Sequence, residues 1–87
     1  MVFRILDYDI HNLKKSDQIL NRLVRNYNLN AKVIQVSEVL EFGRLGIADK
    51  LPALELNGVI MCTKCDLTEK FLEDIIEKII ARQRKSE

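Results

Sequence analysis

Apolar and polar positions fall into distinct rhythms along this chain. Val2-Phe3-Arg4-Ile5-Leu6-Asp7-Tyr8 is short and rich in β-formers, which predicts a buried strand. Asp9 to Asn12 reads as a loop, with Asn12 as the N-cap of the following helix. Leu13, Leu20, Leu23, Val24 and Tyr27 then share one helical face, with the basic residues largely opposite. Asn28 to Asn30 ends that helix, because asparagine tolerates the left-handed conformation. Ala31 to Val36 reads as a second strand. Ser37 is placed to cap a short helix running to about Leu45, and Gly46 to terminate it.

The stretch from Ile47 to Leu67 changes rhythm. Pro52 opens a short alternating run, Ala53 to Leu56. Asn57-Gly58 follows, a strong hairpin signal, because both central residues of a type I′ turn need φ > 0. Val59 to Cys62 is the return strand. Phe71, Leu72, Ile75, Ile76, Ile79 and Ile80 then form one face at period 3.6. Two starts fit this last helix. Asp66 with Glu69 makes a capping box, whereas Thr68 as cap places Leu67 and Leu72 as a hydrophobic staple. Ala81 to Glu87 is polar and is expected to fray. The order is β-α-β-α-β-β-α. The long helical connection implies that the first two strands are parallel, and the hairpin is antiparallel. A single α/β domain over 1–87 follows: a four-stranded mixed sheet flanked by three helices, with helices on both faces.

Composition narrows the function classes. Eighty-seven residues, 47% of them hydrophobic, suffice for one small core. A formal net charge of +1 argues for neither nucleic acid nor a membrane surface as partner. The charge is uneven: Lys14, Lys15, Arg22 and Arg25 make the first helix basic, and Asp66, Glu69, Glu73, Asp74 and Glu77 make the last one acidic. Such runs read as solvated faces. The first ten residues carry Arg4, Asp7 and Asp9 and show no secretory pattern, and no apolar run approaches membrane-spanning length. A cytoplasmic location is the default expectation.

In that compartment two cysteines at C-x-x-C spacing, Cys62 and Cys65, suit redox or metal chemistry better than a structural staple. A thiol ahead of a helix N-terminus is favoured as thiolate by the helix dipole; Lys64 helps and Asp66 opposes. The pair can close into a disulfide, chelate a soft metal, or pack as two small apolar residues. His11 is the lone histidine, open to acid–base work or simply a surface residue. Tyr8 and Tyr27 read as packing residues, and Ser37 as a cap with no nucleophilic partner. No phosphate loop, paired-carboxylate or dinucleotide signature is present, so no cofactor is expected.

The element order, with Leu45-Gly46-Ile47 before the proline, Pro52-Ala53-Leu54, Asn57-Gly58 and a helix start near Thr68, resembles the thioredoxin fold. In length and detail the chain looks most like the small archaeal and bacterial thioredoxin/glutaredoxin-like proteins called redox-active disulfide proteins. The resemblance spans nearly the whole chain. It implies a cis peptide before Pro52, with Leu51 offering its backbone N–H and C=O to an extended thiol substrate. It also implies a catalytic C-x-x-C after the first strand, where this chain reads Ile10-His11-Asn12-Leu13, with apolar residues at both cysteine positions. Cys65-Asp66-Leu67 resembles the second half of the Gly-Gly-Cys-Asp-Asp motif with which glutaredoxins hold glutathione, but Thr63 and Lys64 replace the two glycines. Met61-Cys62-x-x-Cys65 is similar to the metal motif of small copper-binding domains, placed differently in the chain.

Three readings follow. In the first, the chain is a thiol–disulfide oxidoreductase using Cys62 and Cys65: one attacks a substrate disulfide and the other resolves it. Nearness to the helix end favours Cys65 as attacker. A protein or small-molecule thiol or disulfide would lie along Leu51-Pro52, with Ile10, His11 and Lys64 also in contact. In the second, a non-catalytic thioredoxin-fold module binds a partner protein through Ile10, Leu13 and Leu51, with His11 at the rim, Leu13 being equally open to turning into the core on the face it shares with Leu20, Leu23 and Val24. In the third, the same cysteines bind zinc or copper, in a site shared by two chains.

Overall fold

Four strands and three helices follow in the predicted order in the computed structural model, which describes residues 1–85. They are β1 (Val2–Leu6), α1 (Ile10–Asn26), β2 (Lys32–Val36), α2 (Val39–Leu45), β3 (Ala53–Leu56), β4 (Val59–Cys62) and α3 (Glu69–Lys85). They form one mixed sheet in the order β2-β1-β3-β4. β1 pairs with β2 in parallel and with β3 antiparallel, and β4 returns antiparallel to β3.

Side chains alternate across β1, and each set has its own cover. Phe3 and Ile5 join Leu54 beneath α1 and α3, in a core with Leu13, Leu20, Leu23, Leu72 and Ile76. Leu6 points the other way and packs with Phe42 of α2, Ile47 and Ala53. The basic residues of α1 and the acidic ones of α3 partly meet, because these helices pack together. Arg22 pairs with Glu69, and the Tyr27 hydroxyl donates to Glu77 Oε1 at 3.0 Å. That bond, with the carboxylates of Glu73, Glu77 and Asp74 nearby, raises the Tyr27 pKa. Tyr8 sets its ring edge-on to Phe42 at 5.0 Å and donates to Ala48 O at 3.1 Å.

Several boundaries differ from the sequence expectation. β1 stops at Leu6, where Asp7 turns inward and its carboxylate accepts from Asp9 N–H at 3.2 Å. Asp9, rather than Asn12, caps α1, accepting from His11 N–H at 2.9 Å and Asn12 N–H at 3.3 Å. A carboxylate just past the strand reaches the free amides first, so the predicted loop is the first turn of the helix. Glu38 rather than Ser37 stands at the N-cap of α2, without a side-chain cap bond. Thr68 decides the start of α3: its hydroxyl accepts from Phe71 N–H at 3.2 Å, and Leu67 and Leu72 are both buried as a staple requires. α3 continues to Lys85, past the predicted fray at Ala81. The end of that predicted tail, 86–87, lies outside the described residues.

The turns behave as read. Asn28 and Gly46 take positive φ at the ends of α1 and α2, and Asn57 and Gly58 have φ of 51° and 85° at the hairpin tip. Asn57 also ties the hairpin to β1, since its Oδ1 accepts from Val2 N–H at 2.8 Å and its own N–H donates to Val2 O at 2.9 Å.

On the α2 face, Glu41 gathers two guanidinium groups, with Arg44 Nη2 at 2.5 Å and Arg4 Nη2 at 2.8 Å from Oε1. Arg4 Nε lies 3.5 Å from Glu55, whose residue is only 4% exposed. Arg44 first and Arg4 second hold the Glu41 pKa at about 2, well below the usual glutamate range. A depressed carboxylate stabilises the folded state above its unfolded pKa, and that contribution disappears as pH falls through the folded one. The stability advantage of the natural chain over Glu41→Gln should therefore shrink from about pH 5 to about pH 2 in urea titrations, and be flat above that range. An advantage that grows on acidification would contradict the pairing.

Candidate functional site

The site forms where two loops are sewn together at one end of the sheet. The Leu51–Pro52 peptide is cis and leads into β3. The opposing loop follows β4. Along the β3–β4 ladder Leu56 opposes Val59 and Glu55 opposes Ile60, but Leu54 opposes Cys62. Met61 is thus the extra residue of a β-bulge. A one-residue slip exchanges the faces of a strand, so the bulge turns Cys62 to the side of Leu54, against the larger core. Lys64 then takes a positive φ of 50° and reverses the chain. Its N–H donates to Lys50 O at 2.9 Å, and Cys65 N–H donates to Pro52 O at 3.2 Å.

These constraints bring Cys65 back to Cys62. The two sulfurs lie at disulfide distance, with their Cα atoms 6.2 Å apart. Cys65 Sγ lies 3.5 Å from Pro52 O. Both cysteines are half-buried, packed at the margin of the core with one side open, while Thr63 and Lys64 between them are exposed. Chemically the pair is a two-electron couple within reach of a partner at the surface. Among the described residues, no three histidine, cysteine or acidic side chains come together as a metal cluster.

The other predicted contact positions do not form one patch. Ile10 is 57% exposed and His11 is exposed, both in the first turn of α1. Leu13 is 2% exposed and belongs to the larger core, not to a docking surface. Leu51 is half-buried against the smaller core with Phe42 and Ile47. The three apolar residues of the predicted patch therefore point to three environments. Leu13 is drawn inward by the helical face it shares with Leu20, Leu23 and Val24, as their spacing already implied.

What does lie beside the cysteine loop is a groove of about 330 Å³ with a mixed wall, Asp7, Lys15, Ser16 and Asp66 alternating with Ile19 and Leu67. The sequence reading missed it. One signal was available: Ser16 interrupts the apolar face of α1 at a core position. A wider depression of about 630 Å³, with Tyr27, Leu29, Glu77 and Ile80 in its wall, is lined by neither cysteine nor Pro52. Among the described residues no helix is long and apolar enough to cross a membrane.

Comparison with protein families, with characterised proteins and with solved structures finds no match for this chain.

Proposed function

We propose that the chain is a thioredoxin-like thiol–disulfide redox protein, of the redox-active disulfide protein type, whose working pair has moved to Cys62 and Cys65. The observation that carries this reading is the half-exposed cysteine pair at disulfide distance, hydrogen-bonded through Cys65 N–H to the loop of a cis-proline. The strand order, the parallel first pair and the hairpin leading into α3 support the fold assignment. In the reducing direction, one thiolate attacks a substrate disulfide and expels a thiolate. The second cysteine then attacks the mixed disulfide and releases the other substrate thiol. Two electrons and two protons pass to the substrate, and the Cys62–Cys65 bond closes. A couple of this kind cycles in a compartment kept reducing, which favours the cytoplasm.

Redox titration in glutathione buffers, read by alkylation and mass, tests the reading. The expected result is a single two-electron transition assigned to Cys62 and Cys65. Thiols that stay reduced across the whole glutathione range, or a pair that alkylates only after denaturation, would overturn it.

A second reading, a protein-binding module, is favoured by one feature, the exposed Ile10 at the start of α1. Ile10→Asp should then reduce self-association or partner capture while leaving the redox transition unchanged.

A further inference from the structure

The groove beside the cysteine loop contains polar groups that the protein does not satisfy. Ser16 is 6% exposed, yet its hydroxyl makes no hydrogen bond to any described residue. Among the described residues Arg4 Nε is the one fully buried side-chain nitrogen or oxygen without a hydrogen-bond partner, so the Ser16 oxygen opens to the groove, where water or a ligand can bond it. Asp7 is 8% exposed and lines the same groove. One of its carboxylate oxygens accepts from Asp9 N–H, and the other has no donor among the described residues. A carboxylate has about four acceptor positions, so most of its capacity remains unused. Asp66 adds a second carboxylate with no ion pair among the described residues, and the Asn12 amide is likewise unengaged.

The charge balance selects the ligand. Glu69 at the rim is already paired with Arg22. That leaves Asp7 and Asp66 against the single ammonium of Lys15, an exposed side chain. An anion entering the groove meets two carboxylates for one cation. An ammonium or guanidinium group meets two carboxylates, the Ser16 hydroxyl and the Asn12 carbonyl, all acceptors.

We propose that this groove is a docking subsite for the lysine or arginine side chain of a basic polypeptide segment, the substrate whose thiol or disulfide meets Cys62 and Cys65. Pro52 lines the groove and also accepts from Cys65 N–H, and Asp66 directly follows Cys65. A side chain held there brings its own backbone alongside the cysteine loop. The identity of the occupant as a redox substrate rests on the function proposed above; the cation site itself does not.

The test uses the full oxidised chain and three blocked hexapeptides, alternating glycine with lysine, glutamine or glutamate. Amide resonances are followed by NMR, a readout that involves no thiol exchange. The lysine peptide should give saturable shifts centred on Asp7, Asn12, Ser16 and Asp66, and the glutamate peptide none. Asp66→Asn and Ser16→Ala should each weaken binding by about two- to fivefold, the range of a partly exposed charged contact. Asp66 is exposed, so its variant keeps the fold and the result is readable even if Ser16→Ala is disturbed. Equal binding of the glutamate peptide, shifts scattered outside the groove, or affinity unchanged in both variants would overturn the subsite. Failure here with an intact Cys62/Cys65 transition removes the subsite alone. Selective lysine binding with no such transition keeps the subsite and removes the redox reading.

Discussion

Leu13→Asp should leave the chain unfolded, whereas Ile10→Asp, three residues earlier, should leave it folded. Leu13 is almost wholly enclosed by Leu20, Leu23, Leu72 and their neighbours. Truncating a leucine in such a site costs about 2–5 kcal/mol. The aspartate adds an ionised carboxylate with no partner nearby, a further cost of several kcal/mol. A domain of this size has a total stability of about 4–13 kcal/mol, so the sum consumes most or all of it. Ile10 gives up little, because more than half of its surface is already in water. Far-UV circular dichroism and urea titration separate the two outcomes. A cooperative, native-like Leu13→Asp would mean that α1 does not bury this face. An unfolded Ile10→Asp would mean that Ile10 is core.

The contrast marks where the sequence was sufficient. The periodicity of Leu13, Leu20, Leu23 and Val24 already assigned a buried face, and the structure buries all four. Element order, parallel and antiparallel pairings, the Asn57-Gly58 turn and the Gly46 stop were legible for the same reason: each depends on local spacing or on a residue with a restricted backbone. The helix starts at Asp9 and Glu38 were less legible, because several capping residues stood in succession. Which one caps depends on where the preceding strand lets go, and tertiary pairing sets that. Asp7 illustrates it: its N–H still bonds Val36 O at 3.2 Å from β2, although its side chain has left the strand pattern.

The candidate site was legible only as chemistry. C-x-x-C spacing brought out Cys62 and Cys65, and Pro52 brought out the loop beside them. The bulge at Met61 was not legible, since it is a mismatch between two strands and not a property of either. Without it Cys62 would face the α2 side, away from the larger core. The groove was missed because its wall comes from four separate segments: Asp7, the second turn of α1, Pro52 and Asp66. Ser16 alone carried a trace of it, as a polar residue in an apolar register.

Cys62→Ser and Cys65→Ser should each abolish the two-electron transition completely, since neither leaves an intramolecular partner. They should differ in the thiol that remains. Nearness to α3 argued for Cys65 as the attacking residue. Its surroundings argue the other way. Pro52 O lies 3.5 Å from Cys65 Sγ in the joined pair, placed to accept from the S–H once the pair is reduced, a contact that a thiolate would exchange for repulsion. A neutral hydrogen bond of this kind contributes about 0.5–1.5 kcal/mol, which corresponds to about a two- to tenfold rate difference. Cys62 has no such acceptor among the described residues. Iodoacetamide should therefore label the Cys65→Ser protein, through Cys62, faster than the Cys62→Ser protein, through Cys65, by that factor. In the natural dithiol, peptide mapping after brief labelling should find the first adduct on Cys62, which makes Cys62 the attacker and Cys65 the resolving thiol. A first adduct on Cys65 would show that the end of α3 outweighs the Pro52 carbonyl.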